Sequence, residues 1–97
     1  MNDFMNAPRL GDGQPSPLPD AAWPTIASRL QMTAREASIV RGLFHRMTEE
    51  AIAEKLGISH HTVHTHLNRV YRKLSVQNRG DLFLRVLQEY MAYEPVS

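Results

Sequence analysis

The sequence predicts an all-α fold, a four-helix helix-turn-helix bundle with a short extra N-terminal helix or arm. Apolar residues recur at helical spacing in several separate stretches of the chain. These stretches follow Ser, Thr or Asn residues that can cap a helix. After Thr48, a short helical stretch, a turn that carries Gly57 and a second helical stretch come in direct succession.

Composition and charge exclude several classes of protein. The 97-residue chain has no cysteine, so disulfides and cysteine-based zinc sites are excluded. No apolar run approaches the roughly 20 residues of a membrane span, and the N-terminus lacks the pattern of a signal peptide. We therefore expect a cytoplasmic protein with no membrane partner. From Lys55 to Gly80 there are five Lys or Arg, four His and no Asp or Glu, which favours a face directed toward a polyanion.

The N-terminal part of the chain has a different character. Prolines and glycines interrupt residues 1–19, and their apolar content is too low to offset the ordering entropy, so we expect an unstructured arm. Asp20 could cap a short helix that runs to Leu30 and holds Pro24 in its first turn. An apolar stripe would dock this helix on the main domain, formed by Trp23, Ile26 and Leu30. We therefore divide the chain into a Pro-broken N-terminal arm with space for a short helix, residues 1–29, and a helix-turn-helix domain, residues 30–97.

Two capped helices are predicted at the start of the domain. Thr33 and Glu36 have the spacing of a capping box, in which each side chain bonds the backbone amide of the other residue. The helix that follows carries a core-facing stripe of Val40, Leu43, Phe44 and Met47. Thr48 can cap the next helix, which is predicted from about Glu49 to Leu56 with its acids in the first turn.

The stretch from Ser59 to Leu74 predicts an amphipathic helix capped by Ser59, after a turn in which Gly57 can take positive φ. At about 100° per residue, four apolar residues fall within roughly 40° of one direction, namely Val63, Leu67, Val70 and Leu74. The opposite side consists of His61, Thr65, Asn68 and Arg72, with His64 and Arg69 on its flanks. His66 lies about 60° from the core direction and is predicted to be a partly buried packing residue. The outward face is rich in donors and free of acids, as contacts to base edges and phosphates require.

A last helix is predicted from a cap at Asn78 to about Tyr93, with Asp81 in its first turn and Pro95 beyond its end. Its apolar residues cover two adjacent stripes. One stripe would complete the core, and the other is predicted to form a dimer interface through Phe83, Leu87, Tyr90 and Met91. A wide core-facing side is the alternative interpretation, to which we give equal weight.

A set of residues in one unbroken register carries a family resemblance: Thr33, Arg35, Glu36, Ile52, Ala53, Leu56, Ile58, Ser59, Thr62, Val63, His66, Lys73, Leu74, Val76, Asn78 and Arg79. The run from Leu30 to Leu82 that contains them resembles the LuxR-type (GerE-like) helix-turn-helix domain of bacterial transcription regulators. The resemblance implies a four-helix fold whose third helix enters the major groove of double-stranded DNA and whose fourth helix forms a homodimer contact.

The resemblance also implies roles for individual residues. His64, Thr65 and Asn68 fall where the family reads bases, and His61 is an additional candidate for base contact. Phosphate contacts or structural caps are implied for Thr62, Arg69, Lys73 and the Asn78–Arg79 pair, and Arg72 is a further phosphate candidate. Three positions depart from the family pattern: His64 replaces the usual Lys or Arg, Arg46 replaces the usual Gly, and Ala51 replaces an acid.

The histidines of the outward face lead to a prediction about pH. Because free histidine titrates near pH ~6.5, protonation of His61 and His64 would add positive charge toward DNA, and we expect affinity for DNA to rise as pH falls from about 8 to 6.

Other functions have less support in the sequence. No nucleophile with a neighbouring base in a plausible pocket, no glycine-rich phosphate loop and no carboxylate pair on one face can be recognised, so we expect no enzyme and no cofactor. His60 and His64 have the i, i+4 spacing of a two-ligand metal site, but we see no acid or cysteine near them in sequence, so we expect no metal. The alternative to DNA binding is an adaptor that keeps the helix-turn-helix fold and binds a protein partner.

Overall fold

The computed structural model describes residues 16–93, and the expectations for residues 1–15 and Pro95 lie outside this range. Between residues 16 and 93 the chain forms α-helices and one 3-10 helix and contains no strand. The 3-10 helix spans Asp20–Ala22, and the α-helices are α1 (Trp23–Arg29), α2 (Ala34–Phe44), α3 (Glu49–Leu56), α4 (His60–Leu74) and α5 (Arg79–Tyr93). The all-α class and the extra N-terminal helix are confirmed. No helix in this range is both long enough and apolar enough to cross a membrane.

One hydrophobic core joins these helices. Helix α4 packs against both α2 and α3, while α1 and α4 both contact α5. The most deeply buried side chains come from every α-helix: Ile26, Ile39, Val40, Ile52, Val63, Leu67, Val70, Leu82 and Val86. Burial of a stripe from each amphipathic helix supplies most of the driving force for this arrangement, at roughly 1.5–3 kcal/mol per large apolar side chain.

Each predicted cap of α2, α3, α4 and α5 is present. The Thr33 hydroxyl accepts a hydrogen bond from the Glu36 amide at 3.1 Å, and the Glu36 carboxylate accepts one from the Thr33 amide at 3.0 Å. The Thr48 and Ser59 hydroxyls each accept from the backbone amide three residues later, at 3.0 Å. Asn78 Oδ1 accepts from the Asp81 amide at 2.8 Å. These bonds satisfy amides that a helix start otherwise leaves without a partner, and they fix where each helix begins.

The N-terminal helix docks as its apolar stripe predicted, since Trp23, Ile26 and Leu30 are buried. Two expectations are wrong here. Asp20 makes no capping hydrogen bond and instead pairs with Arg41 on α2, Oδ1 to Nη2 2.8 Å. Leu18 is only 3% exposed and belongs to the core, so the end of the expected unstructured arm is held by apolar burial.

Three aromatic rings connect α1, α2 and α5. Trp23 packs edge-on against Phe44 with ring centroids 5.2 Å apart, and Phe44 packs against Phe83 at 4.6 Å. Both separations lie in the range in which aromatic pairs attract one another beyond the burial of their area. Phe83 therefore takes part in the core of its own chain.

Glycine and left-handed residues shape the connections between helices. A Cβ on Gly42 would lie 2.8 Å from Ile52 Cγ1, so the close approach of α2 and α3 requires glycine there. Gly57 takes φ of 70° in the turn before α4, as predicted. Arg46 adopts φ of 63°, which explains why the family that the sequence resembles usually has glycine at this position.

Candidate nucleic-acid interface

Helix α4 presents a polar face to solvent and an apolar face to the core. Its four stripe residues are at most 9% exposed: Val63, Leu67, Val70 and Leu74. Among the base-contact candidates, His61, His64 and Asn68 are exposed and Thr65 is half-buried. His66 is half-buried, as its angular position predicted.

The start of α4 is held by a compact hydroxyl pair. Ser59 Oγ accepts from the Thr62 amide at 3.0 Å, and the two hydroxyl oxygens lie 2.9 Å apart. Thr62, a phosphate candidate, is thus engaged with the cap of its own helix. Arg69 and Arg72, the next phosphate candidates along α4, are exposed.

Lys73 occupies a different environment from the other cations of α4. Its ammonium donates to Glu36 Oε1 at 2.7 Å and to the Gln31 carbonyl at 2.8 Å. The Glu36 side chain is only 4% exposed, and a carboxylate at that depth needs a counter-charge. In the protein without DNA the Lys73 ammonium is thus engaged with the N-terminus of α2, and its role as a phosphate contact stays a prediction.

The Lys73 contact also sets the protonation state of Glu36. Burial opposes ionisation of this carboxyl. The hydrogen bonds from Lys73 and from the Thr33 amide, with the charges of Lys73 and His66, outweigh that effect and hold the pKa of Glu36 below its usual range. At neutral pH the pair is thus an ion pair that links α2 to the end of α4.

Glu49, in the first turn of α3, lies beside two histidines of α4 and the arginine that begins α5. Its carboxylate is 3.1 Å from His60 Nε2, 3.7 Å from His64 Nδ1 and 3.5 Å from Arg79 Nη2. The expectation that no acid lies near these histidines is wrong, since the fold brings Glu49 to them from 11 positions earlier in the chain. Even so, no group of three or more His, Asp or Glu side chains between residues 16 and 93 is arranged to hold a metal ion. His60, His61 and His64 line an open depression of about 300 Å³ beside this cluster.

Helix α5 exposes one member of the predicted stripe fully and the other three in part. Phe83, Leu87 and Tyr90 are half-buried against the core, whereas Met91 is 72% exposed. Leu84, which the sequence analysis did not select, is 59% exposed. Leu84 and Met91 are seven residues apart and hence on one side of the helix, a spacing that could have identified them.

These features define a class of protein: a helix-turn-helix protein with an exposed, acid-free face on its second motif helix. Residues 30–86 match the GerE family model, described as bacterial regulatory proteins of the luxR family, and this is more than half of the chain. The chain therefore belongs to the luxR family of bacterial regulatory proteins, which confirms the resemblance. The chain is similar to the "Probable transcriptional regulatory protein SgaR" of Hyphomicrobium methylovorum, with 44% identity over 49 residues. That match covers 50% of this chain and 23% of the relative, so the shared part spans about a quarter of that protein. No solved structure matches the chain.

Proposed function

We propose that this regulatory protein binds double-stranded DNA in a sequence-specific manner, with α4 inserted in the major groove, and thereby regulates transcription. The observation that carries the proposal is the outward face of α4, which is polar, exposed and free of acids opposite a fully buried stripe. A major groove admits one helix, and side chains at that helix face can reach base edges. The name of the similar protein, a probable transcriptional regulator, supports the same function.

Roles in this complex follow from exposure and chemistry. Asn68 is exposed at the middle of the outward face, and its amide can bond both the N6 and N7 positions of an adenine. His61, His64 and Thr65 lie on the same face and are the other proposed base contacts. The proposed phosphate contacts are Thr62, Arg69, Arg72 and Arg79. Arginine binds phosphate through a planar fork of donors, and a hydroxyl donates a single hydrogen bond.

We further propose that two copies bind together through α5. Leu84 and Met91 are the exposed members of its apolar surface, and the half-buried Leu87 lies beside them. A two-fold dimer of this kind would read two half-sites related by a two-fold axis. Analytical ultracentrifugation with and without DNA tests this step, and a Met91→Asp variant that dimerises as well as the wild type would contradict it.

Selection of bound fragments from random DNA, followed by fluorescence anisotropy at stated salt, tests the proposal. Affinity for the selected duplex should fall steeply between about 50 and 200 mM salt because phosphate contacts release counterions. Asn68→Ala should weaken binding to the selected duplex by about 1–3 kcal/mol and leave random DNA nearly unaffected. Arg69→Ala should weaken both duplexes alike and reduce the salt slope by about 1.

Two outcomes would contradict parts of the proposal. If Asn68→Ala lost affinity equally for selected and random DNA, Asn68 would not be a base contact. Absence of a shift with every DNA at about 50 mM salt, where phosphate contacts are strongest, would overturn the proposal. The adaptor function would then be favoured, with Leu84 and Met91 as the apolar side chains exposed for a protein partner.

A further inference from the structure

An acid lies inside the surface that is proposed to face a polyanion. The Glu49 side chain is 22% exposed, while His60, His64 and Arg79 around it are 52%, 62% and 48% exposed. The carboxylate is therefore more buried than the two histidines and the arginine that surround it. Glu49 joins the first turn of α3 to the first turns of α4 and α5.

Both ends of the carboxylate are engaged. Oε1 is within hydrogen-bond distance of His60 Nε2, at 3.1 Å, and lies 3.7 Å from His64 Nδ1. Oε2 accepts a long hydrogen bond from Arg79 Nη2 at 3.5 Å. Because Arg79 is permanently charged, its guanidinium is always attracted to this carboxylate in the protein without DNA.

DNA phosphates would compete with Glu49 for the same donors. A phosphate that approaches Arg79 meets a cation that is already partly neutralised, and it is also repelled by the carboxylate beside that cation. Neither effect depends on base sequence, because phosphates carry no sequence information. The consequence is a lower affinity for all DNA, and hence less occupancy of non-specific sites.

We propose that Glu49 is an electrostatic brake on DNA binding that acts through its pairing with Arg79 and through its own negative charge. This inference rests on the proposed function, since it concerns the affinity of the same face. From Lys55 to Gly80 the sequence contains no acid, so Glu49 is a negative charge that the fold brings from an earlier segment to an otherwise basic surface.

The test is Glu49→Gln, which keeps the size of the side chain and one acceptor oxygen and removes its charge. Glu54→Gln is the matched control, because Glu54 is an exposed acid of the same helix, about 7.5 Å further along its axis. Binding to the selected duplex and to a random duplex of equal length is measured by anisotropy at pH 7.5 between about 50 and 200 mM salt. Circular dichroism confirms that both variants remain folded.

Glu49→Gln should tighten binding to both duplexes by about 3- to 10-fold at low salt. Its salt slope should become steeper by about 0.9, as for one additional phosphate contact, which corresponds to about 3.5-fold over a fourfold change in salt. Glu54→Gln should change affinity less than about 2-fold, because its charge is more distant from the interface. Two results would overturn the brake, provided that the wild type binds DNA. In the first, Glu49→Gln changes the affinity no more than Glu54→Gln does. In the second, Glu49→Gln lowers the affinity, and only for the selected duplex. A wild type that binds no DNA would instead overturn the proposed function and the brake with it.

Discussion

Replacing Lys73 with methionine removes its ammonium while keeping an unbranched stem of similar length. In the wild type this ammonium bonds the Glu36 carboxylate at 2.7 Å and the Gln31 carbonyl at 2.8 Å. The variant therefore leaves Glu36, whose side chain is 4% exposed, without its counter-charge. Because the site joins the start of α2 to the end of α4, its loss should destabilise the whole domain.

The loss of stability in Lys73→Met depends on how deeply the ion pair is buried and on the hydrogen bonds that Glu36 keeps. Breaking a fully buried ion pair costs about 3–5 kcal/mol, and one hydrogen bond to a charged group contributes about 1.5–3 kcal/mol. Glu36 keeps its bond from the Thr33 amide, and the Lys73 side chain is 32% exposed, so water can reach part of the site. We expect a loss of about 2–3 kcal/mol in the free energy of unfolding. For a domain of this size that is a fall in Tm of about 8–24 °C.

Urea unfolding at pH 7, followed by circular dichroism, measures the effect as a shift in midpoint at unchanged slope. Lys55→Met is the control, because Lys55 is the only other lysine and is exposed, so its replacement should cost less than about 0.5 kcal/mol. The double variant Lys73→Met with Glu36→Gln should lose less free energy of unfolding than the sum of the two single variants, because both substitutions remove the same ion pair. A Lys73→Met protein within about 0.5 kcal/mol of the wild type would refute the reasoning. If that protein also bound DNA weakly, Lys73 would be a phosphate contact after all.

Three further predictions concern stability. Gly42→Ala should destabilise the domain by about 1–3 kcal/mol, measured by urea unfolding, because its Cβ would lie 2.8 Å from Ile52 Cγ1. Ser75→Gly should raise the free energy of unfolding by about 0.5–1 kcal/mol, because Ser75 ends α4 with φ of 58°, a conformation that glycine adopts without strain. The lowered pKa of Glu36 contributes stability that is present above the unfolded-state pKa of about 4.3 and is lost as pH falls through the folded-state value. Unfolding curves between about pH 6 and 3 should therefore show a weaker acid dependence in Glu36→Gln than in the wild type.

Controls separate these effects from general damage to the fold. Gly42→Ala combined with Ile52→Ala is the control, because the second change removes the side-chain atoms that the new Cβ would meet, so the double variant should lose less free energy of unfolding than the sum of the two single variants. Additive losses would contradict the role given to the close approach of α2 and α3. An acid dependence that is the same in Glu36→Gln and the wild type would show that other carboxylates dominate, with Glu89 the first candidate. Hydrogen bonds from Arg29 and Arg85 hold the pKa of Glu89 below its usual range as well.

The elements that the sequence predicts well are those fixed by local chemistry. The caps at Thr33, Thr48, Ser59 and Asn78 lie where a side-chain oxygen meets an amide three residues later, so spacing alone identifies them. The buried stripe of α4 follows equally from a period of 3.6 residues. Asp20 differs because its carboxylate pairs with Arg41 on α2 and makes no capping hydrogen bond, and the sequence around Asp20 does not indicate that contact.

Contacts between distant segments have no local signal in the sequence. Lys73 lies about 20° from His66 around α4 and farther from the core direction, at about 80°, so its angular position puts it between the buried and the exposed face. Its pairing with Glu36 depends on where the start of α2 lies relative to the end of α4. The position of Glu49 has no local signal, because it depends on how α3 crosses the starts of α4 and α5. The exposure of Leu84 depends likewise on which side of α5 the core covers.

The aromatic contacts among α1, α2 and α5 make the fluorescence of Trp23 a probe of how these helices pack. Trp23 is the only tryptophan, it is 3% exposed, and it touches Phe44, which in turn touches Phe83. Its fluorescence therefore senses the junction of these three helices, whereas far-ultraviolet circular dichroism averages over every helix. If α1 separates from the rest before the domain melts, emission will shift to the red while helicity persists. Coincident curves from the two signals would show instead that α1 unfolds together with the rest of the domain as one cooperative unit.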